Sequence, residues 1–157
     1  MCEYCGCQSL EAVGELTREH DAVVNLVGDV RAARRDGDVP AMAGAARRIA
    51  EVLAPHTRVE EEGLFPALAE EFPGHIEALE AEHRRIEAVL GEASDAVPAD
   101  PSWPQRLQEV LEVLREHILK EQDGVFPAAL SALGPEEWEA VEAVRARVGT
   151  RLARTGA

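Results

Sequence analysis

Apolar residues recur every three or four positions along most of this chain, which is the spacing that places them on one face of an α-helix. Ser9 is a candidate N-terminal cap for a first long helix that ends near Asp36 and Gly37. Asp38 is a candidate cap for a second helix, with Pro40 in its first turn. The apolar stripes of these two helices are Leu10, Val13, Leu16, Val23, Val24, Val27 and Val30, and then Ile49, Val52 and Leu53. The pattern predicts two helices joined by a tight turn.

Prolines mark the expected interruptions in the rest of the chain. Pro55 is expected to kink the second helix just before His56. The proline-rich linker 97–104 separates a third helix from a fourth and is too short to divide two domains. Gly134 and Pro135 precede a fifth helix that begins with glutamates and ends with arginines, as the helix dipole favours. The stripes of the third and fourth helices are Ile76, Leu79, His83, Ile86, Val89 and Leu90, and then Leu107, Val110, Leu111, Leu114 and Ile118.

Four long helices with short connections favour an all-α fold, an antiparallel up-down four-helix bundle with the last helix on its outside. We therefore divide the chain into a cysteine-rich head (1–8), the bundle (9–134) and a C-terminal helix packed on the bundle (135–157). The length of 157 residues and the apolar content of 46% suffice for one domain with a sizeable core. An aromatic content of 4% gives little support to a β-sandwich.

The charge of the chain limits its partners. A formal net charge of −14 repels phosphate backbones and anionic lipids, so nucleic acid and membrane surfaces are poor partners. No apolar run approaches the length of a membrane span, and the first residues lack the basic and apolar regions of a signal peptide. We expect a soluble cytoplasmic protein, and the sequence does not specify its protein partner or oligomeric state.

Two segments of the chain, 56–68 and 117–130, repeat one arrangement of residues. In each segment a glutamate follows a histidine by four positions, a glycine follows the glutamate by three, and Phe-Pro comes next. The similarity extends upstream, where residues 16–20 match residues 79–83 and both stretches end in Glu-His. These upstream histidines lie 36 and 34 residues before the histidines of the two segments. The chain is therefore a duplicated unit, and each copy offers two imidazoles and one carboxylate.

The repeated residues are suited to bind metal. Positions i and i+4 share a helix face, so the histidine and glutamate of each segment can address one point in the core. The upstream histidines add one imidazole each from two other helices. Four imidazoles and two carboxylates suit iron, manganese or zinc and are too rich in nitrogen for magnesium or calcium. The predicted metal ligands are His20, His56, Glu60, His83, His117 and Glu121.

Bridging by both glutamates would give a near two-fold site. One metal would take His20 and His56, the other would take His83 and His117, and an oxo or hydroxo bridge would complete a spacing of roughly 3.5–4 Å. A single histidine on an apolar stripe is more often a hydrogen-bonded core residue, and a single His-x-x-x-Glu is usually a surface pair. Six residues in repeated register favour metal binding over that structural interpretation.

Other residues near the motif have structural interpretations. The two phenylalanines of the Phe-Pro pairs, Phe65 and Phe126, are expected to plug the core beyond the metals. The acidic run of Glu61, Glu62, Glu70 and Glu71 is interpreted as a solvated face. Of these carboxylates, Glu61 is the one that could approach a metal as an outer partner of a ligand.

The motif resembles that of the hemerythrin-like, or HHE cation-binding, family over roughly Leu16 to Leu130. The resemblance implies a four-helix bundle around a non-haem di-iron centre, with the six predicted ligands at the positions of the family motif. Oxygen-carrying hemerythrins have a second histidine four residues before the one on helix three, and this chain has Leu79 there. Glu80 is an additional candidate for that role. Without it both irons keep an open position, which favours reaction with oxygen, peroxide or nitric oxide over reversible oxygen carriage.

The cysteine head is a separate candidate site. Cys2, Cys5 and Cys7 have the spacing of metal ligands, and His75 is expected at the same end of the bundle. These residues could bind zinc or another metal, or act as redox thiols beside the di-iron chamber. The alternatives are an incidental N-terminus and an exposed histidine at the start of a helix.

The sequence thus favours a non-haem di-iron protein that binds or reduces oxygen, nitric oxide or peroxide, in sensing or detoxification. In an enzymatic version it would be an oxidoreductase in which the irons perform the redox chemistry. An iron storage or sensing module and a structural zinc protein are the alternatives, because the same ligands accept zinc. The residues do not specify the physiological ligand or the metal in vivo.

Overall fold

The computed structural model describes residues 6–152, and within this range the chain folds into α-helices interrupted by two π-helical segments. The α-helices are α1 (Cys7–Arg35), α2 (Val39–Arg58), α3 (Phe65–Ala69), α4 (Pro73–Gly91), α5 (Trp103–Lys120), α6 (Phe126–Ala132) and α7 (Pro135–Val148). The first π segment (Val59–Leu64) joins α2 to α3, and the second π segment (Glu121–Val125) joins α5 to α6. The all-α prediction is therefore confirmed for the described residues.

One of the two predicted caps at the helix starts is correct. The Asp38 carboxylate accepts a hydrogen bond from the Ala41 amide at 3.0 Å and caps α2 as predicted. The Ser9 prediction was wrong, because α1 already begins at Cys7. The Ser9 hydroxyl lies inside the first turn and donates to the Gly6 carbonyl at 2.7 Å. Gly6 has a φ of 75°, a left-handed conformation that glycine adopts without strain.

The sequence predicted a kink at Pro55, but the helix becomes irregular four residues later. Helix α2 continues through Pro55 to Arg58, and the departure from α-helical geometry begins at Val59. The Phe65 amide then donates to the carbonyl of Glu60, five residues back, and Phe126 donates to Glu121 in the same way. A proline follows each phenylalanine and has no amide to continue the ladder. The Phe-Pro pairs therefore end two equivalent π segments, each containing a predicted glutamate ligand.

The long helices pack side by side into a bundle. Helix α1 contacts α2 and α5, and α4 contacts α2 and α5, while α7 lies against the first π segment, α1 and α2. Most residues of the predicted apolar stripes are buried, although Leu10 and Val24 are exposed. None of the described helices is long and apolar enough to cross a membrane.

The buried apolar residues form two clusters, and the candidate site lies between them. One cluster fills the end of the bundle that contains Val23, Ile86 and Leu114. The other contains Leu16 and Leu79 together with residues of the π segments, α3 and α7. His20 is flanked along α1 by Leu16 and Val23, so it occupies the layer between the clusters.

Candidate metal centre

The structure brings all six residues of the predicted ligand set together in the buried layer between the two apolar clusters. His20 and His56 form one group with Glu60 and Glu121, and His83 and His117 form a second group with the same two glutamates. Within each group, one potential ligand atom per residue lies within 4.8 Å of the others. The two groups therefore share both carboxylates, as a bridged pair of metals would require.

The Nε2 atoms of the histidines face these shared carboxylates. His20 Nε2 lies 2.9 Å from Glu121 Oε1, and His117 Nε2 lies 3.4 Å from Glu121 Oε2. On the other side, Nε2 of His56 lies 3.3 Å from Glu60 Oε2, and Nε2 of His83 lies 3.2 Å from Glu60 Oε1. Each glutamate thus contacts one histidine from each half of the duplicated chain.

The Nδ1 atoms point the other way, and each contacts a polar group outside the centre. The pairs are His20 with Gln122 at 2.7 Å, His56 with Glu19 at 2.9 Å, His83 with Glu61 at 2.6 Å and His117 with Glu82 at 2.8 Å. An oxygen acceptor at Nδ1 holds the proton there and orients the ring. The Nε2 lone pairs are then directed into the centre, which is the arrangement a metal needs.

These outer partners occupy regular positions in the repeat. Glu19 and Glu82 come directly before His20 and His83, while Glu61 and Gln122 come directly after Glu60 and Glu121. The sequence suggested Glu61 for such a role, and the structure confirms its contact with a histidine, whereas Glu62, Glu70 and Glu71 are exposed. The sequence did not predict this role for Glu19, Glu82 or Gln122, although the Glu-His pairs were visible as part of the repeat.

Three oxygens at the centre need a cation. Both carboxylate oxygens of Glu60 and Oε2 of Glu121 are buried and accept no hydrogen bond from the described residues. Nε2 of His83 also lies only 3.0 Å from Nε2 of His117. Lone pairs that converge without donors are costly in a buried site unless positive charge lies between them. The donor set therefore fits bound metal ions.

Raised pKa values of three residues in the metal-free centre also indicate that positive charge is favoured there. Burial lowers the pKa of His56, but the Glu60 charge and the bond to Glu19 outweigh it and raise the pKa to about 10. Burial also lowers the pKa of His83, but its contacts with Glu60 outweigh burial and raise the pKa to about 9. Burial and the Glu60 charge together raise the pKa of Glu121 to about 8. Without metal, protons supply the positive charge that the buried carboxylates lack.

Aromatic rings and a small cavity border the centre. Phe126 stacks on His20 with centroids 5.5 Å apart, and Phe65 stacks on His83 at 5.8 Å, so both phenylalanines close the core as predicted. A cavity of about 10 Å³ is lined by all four histidines together with Leu53, Thr57, Ile86, Glu87 and Leu114. The apolar lining comes from the cluster that does not contain the phenylalanines.

The additional candidates do not join this centre. Neither group of potential ligands among the described residues contains Glu80, His75 or Cys7. His75 is exposed in the first turn of α4 and contacts the edge of Phe72, with ring centroids 6.3 Å apart. Cys7 is partly buried at the start of α1, and Cys2 and Cys5 lie outside the described residues. A second metal or thiol site at the head therefore stays a prediction.

Comparison with known families identifies the chain. The model of the hemerythrin HHE cation binding domain matches residues 11–129, a range that contains all six potential ligands. The chain belongs to the hemerythrin HHE cation-binding family, and its buried cluster of histidines and glutamates fits the metal site that membership implies. Searches among curated proteins and among solved structures found no match.

Proposed function

We propose that this chain is a non-haem di-iron protein that binds or reduces a small ligand such as oxygen, nitric oxide or peroxide, in sensing or detoxification. The observation that carries the proposal is the sharing of Glu60 and Glu121 between two histidine pairs. Mixed nitrogen and oxygen donors suit iron, and two shared carboxylates suit a close pair of ions.

The proposed ligands follow the two groups. His20 and His56 would hold one iron, His83 and His117 would hold the other, and both glutamates would bridge. The proposed framework is an antiparallel four-helix bundle made from α1, α2, α4 and α5, with α7 on its outside. The contacts of each long helix with two others support that arrangement.

The size of the cavity supports a small ligand. Its volume of about 10 Å³ corresponds to about one water-sized probe. Organic substrates do not fit a space of that size unless the helices separate. Leu79, at the position where oxygen carriers have another histidine, is buried and apolar, so it leaves a metal position open. A diatomic molecule or peroxide is of the size that the small cavity admits.

The protein residues would perform distinct tasks around the iron pair. When bound, the irons would supply redox electrons and open coordination positions. Glu60 and Glu121 would balance the metal charge, and the outer partners at Nδ1 would keep the imidazoles aimed inward. Phe65 and Phe126 would exclude water from one side of the centre.

Anaerobic reduction of the iron-loaded protein, followed by separate additions of oxygen, peroxide and nitric oxide, tests this function. We expect spectral changes on reduction and a distinct response to at least one ligand without loss of iron. A colourless, redox-silent protein that retains zinc would contradict the proposal and favour a structural zinc site. Retained iron that responds to none of the three would favour iron storage or sensing.

A further inference from the structure

The two halves of the duplicated chain hold their outer carboxylates differently. Glu19 and Glu82 occupy the same position of the repeat, and each contacts Nδ1 of a histidine from the next helix of its own half. The Glu19 side chain is 0% exposed, whereas that of Glu82 is 22% exposed. Equivalent positions in the repeat therefore have unequal surroundings.

Glu19 is held by two residues from the C-terminal part of the chain. Arg145 donates from Nη1 to Oε2 at 2.9 Å and from Nη2 to Oε1 at 2.7 Å, and the Thr150 hydroxyl donates to Oε2 at 2.8 Å. The Arg145 side chain is 14% exposed. A bidentate, largely buried guanidinium fixes both the position and the plane of a carboxylate.

The Glu82 carboxylate is held less firmly, by an exposed lysine. Lys120 Nζ donates to its Oε2 at 2.8 Å, and the Lys120 side chain is 55% exposed. An exposed lysine restrains a carboxylate less, because solvent screens the pair and the flexible side chain loses entropy on pairing. Lys120 is also part of the duplicated unit, whereas Arg145 lies beyond the matched range 11–129.

The packing of α7 explains why only the first half receives this support. Trp138, Val141 and Val144 are buried on one side of α7. A Cβ added to Gly63 in the first π segment would lie 3.1 Å from the Cα of Val141, so the glycine permits this close approach. The equivalent Gly124 has nothing within 4 Å of such a Cβ. Among the described residues, α7 therefore packs closely on the glycine of one copy of the repeat, whereas the equivalent glycine of the other copy has open space beside it.

We propose that Arg145 is a positioning residue that fixes His56 through Glu19, and so makes metal retention at the His20/His56 position depend on α7. The His83/His117 position does not depend on it in this way. The inference rests on the proposed two-metal centre. Loss of an outer partner of a metal-binding histidine weakens metal affinity by about 10–100-fold, so the effect is measurable.

A matched pair of variants, Arg145→Met and Lys120→Met, tests the proposal. Each removes the cation beside one outer carboxylate and keeps an apolar stem. Release of iron to an excess of chelator is followed optically and by elemental analysis. In Arg145→Met, which keeps Glu19 but releases its carboxylate, we expect one of the two irons to leave up to about tenfold faster while the other keeps its wild-type rate. Lys120→Met should change neither rate by more than about twofold. Arg145→Lys should recover only part of the loss, because one ammonium cannot bind both oxygens.

Two further variants separate positioning from folding. Glu142→Ala removes the 2.6 Å contact between α7 and Gln8 without touching Glu19, and it should retain both irons. Glu19→Gln keeps the side-chain shape and should accelerate release of the same single iron, even if Arg145→Met unfolds. Equal acceleration of both irons in a folded Arg145→Met protein, or wild-type release of both irons from that protein, would overturn the inference, and so would wild-type release from Glu19→Gln. A wild-type protein with fewer than two irons would instead refute the proposed function.

Discussion

The two halves of this molecule have the same inner residues and different surroundings. Each half contributes two imidazoles and one shared glutamate from equivalent positions of the repeat. Around them, His83 has a carboxylate partner in Glu61, whereas His20 has the neutral amide of Gln122. The difference extends to the surface, where α7 packs on the first π segment.

The uncovered side of the second half is an apolar groove. A cavity of about 510 Å³ lies there, and its lining includes Leu79, His75, Gly124 and Val125. The first half has α7 packed directly on Gly63 at the corresponding position. The repeat therefore determines which residues meet at the centre, while elements outside the repeat determine how firmly each half is held.

The largest expected loss of bound iron comes from removing a glutamate that both halves share. Glu60→Ala should remove a bridge from both metal positions and reduce iron to less than one ion per chain, with a clear fall in melting temperature of the iron-loaded protein. His56→Ala should remove a ligand from one position and reduce iron to about one per chain. Elemental analysis checks both counts, with Glu62→Ala as an exposed neighbouring control. Retention of two irons by Glu60→Ala would contradict the shared-carboxylate arrangement.

The metal-free protein should lose stability as the pH rises from about 7 to about 10. The pKa values of His56, His83 and Glu121 are raised in the folded state, so above their unfolded values the folded state binds more protons. Their stabilisation is complete below the unfolded pKa values and disappears as the pH passes about 8 to about 10. Each proton held only in the folded state changes the free energy of unfolding by about 1.4 kcal/mol per pH unit.

Denaturant unfolding of the metal-free and iron-loaded proteins at several pH values checks this dependence. The loaded protein should not show the same fall, since metal replaces the protons at these residues. Parallel curves for the two forms would show that the buried protons do not stand in for metal.

A histidine introduced at Leu79 tests whether the second half has room for a further imidazole beside the metals. Leu79→His should add an imidazole one turn before His83 and favour reversible oxygen binding over further reaction. The matched variant Leu16→His changes the corresponding residue of the first half. Leu79 borders the cavity of about 510 Å³, so we expect the protein to tolerate this change better than the one at fully buried Leu16. Oxygen titration and thermal unfolding of both variants check this prediction. Equal oxygen binding and equal melting temperatures would show that the two halves tolerate the added histidine equally.

The smallest expected effects concern the two equivalent glycines. Gly63→Ala should destabilise the protein by about 1–3 kcal/mol, because the new methyl meets the backbone of α7. Gly124→Ala meets open space and should stabilise by up to about 1 kcal/mol through reduced entropy of the unfolded chain. Chemical denaturation of both variants checks the opposite signs. Destabilisation by Gly124→Ala equal to that by Gly63→Ala would count against the asymmetric packing of α7.

The sequence anticipated which histidines and glutamates lie together in the core, because the information that places them is local and repeated. The spacing from His56 to Glu60 recurs from His117 to Glu121, and helical periodicity alone places each pair on one face. The predicted stripes likewise identified most of the core, as Leu107 and Leu114 illustrate. The placement of such residues on a helix face is determined mainly by short-range geometry.

The outer supports depend on tertiary packing and were missed for that reason. Arg145 reaches Glu19 across 126 positions of the chain, and no local pattern links them. Gln122 departs from the carboxylate chemistry of its counterpart Glu61, so the repeat gave no signal for it. The sequence predicted a kink at Pro55, but the departure from α-helical geometry begins at Val59. The proline is visible in the sequence, whereas the hydrogen bond from Phe65 to Glu60 is not.

Mössbauer spectroscopy of the iron-loaded protein, combined with elemental analysis, shows directly whether two irons share the carboxylates. We expect two irons per chain in a magnetically coupled pair, with non-equivalent signals because the two halves have different outer partners. One iron per chain, or two irons without magnetic coupling, would contradict a centre in which Glu60 and Glu121 are shared.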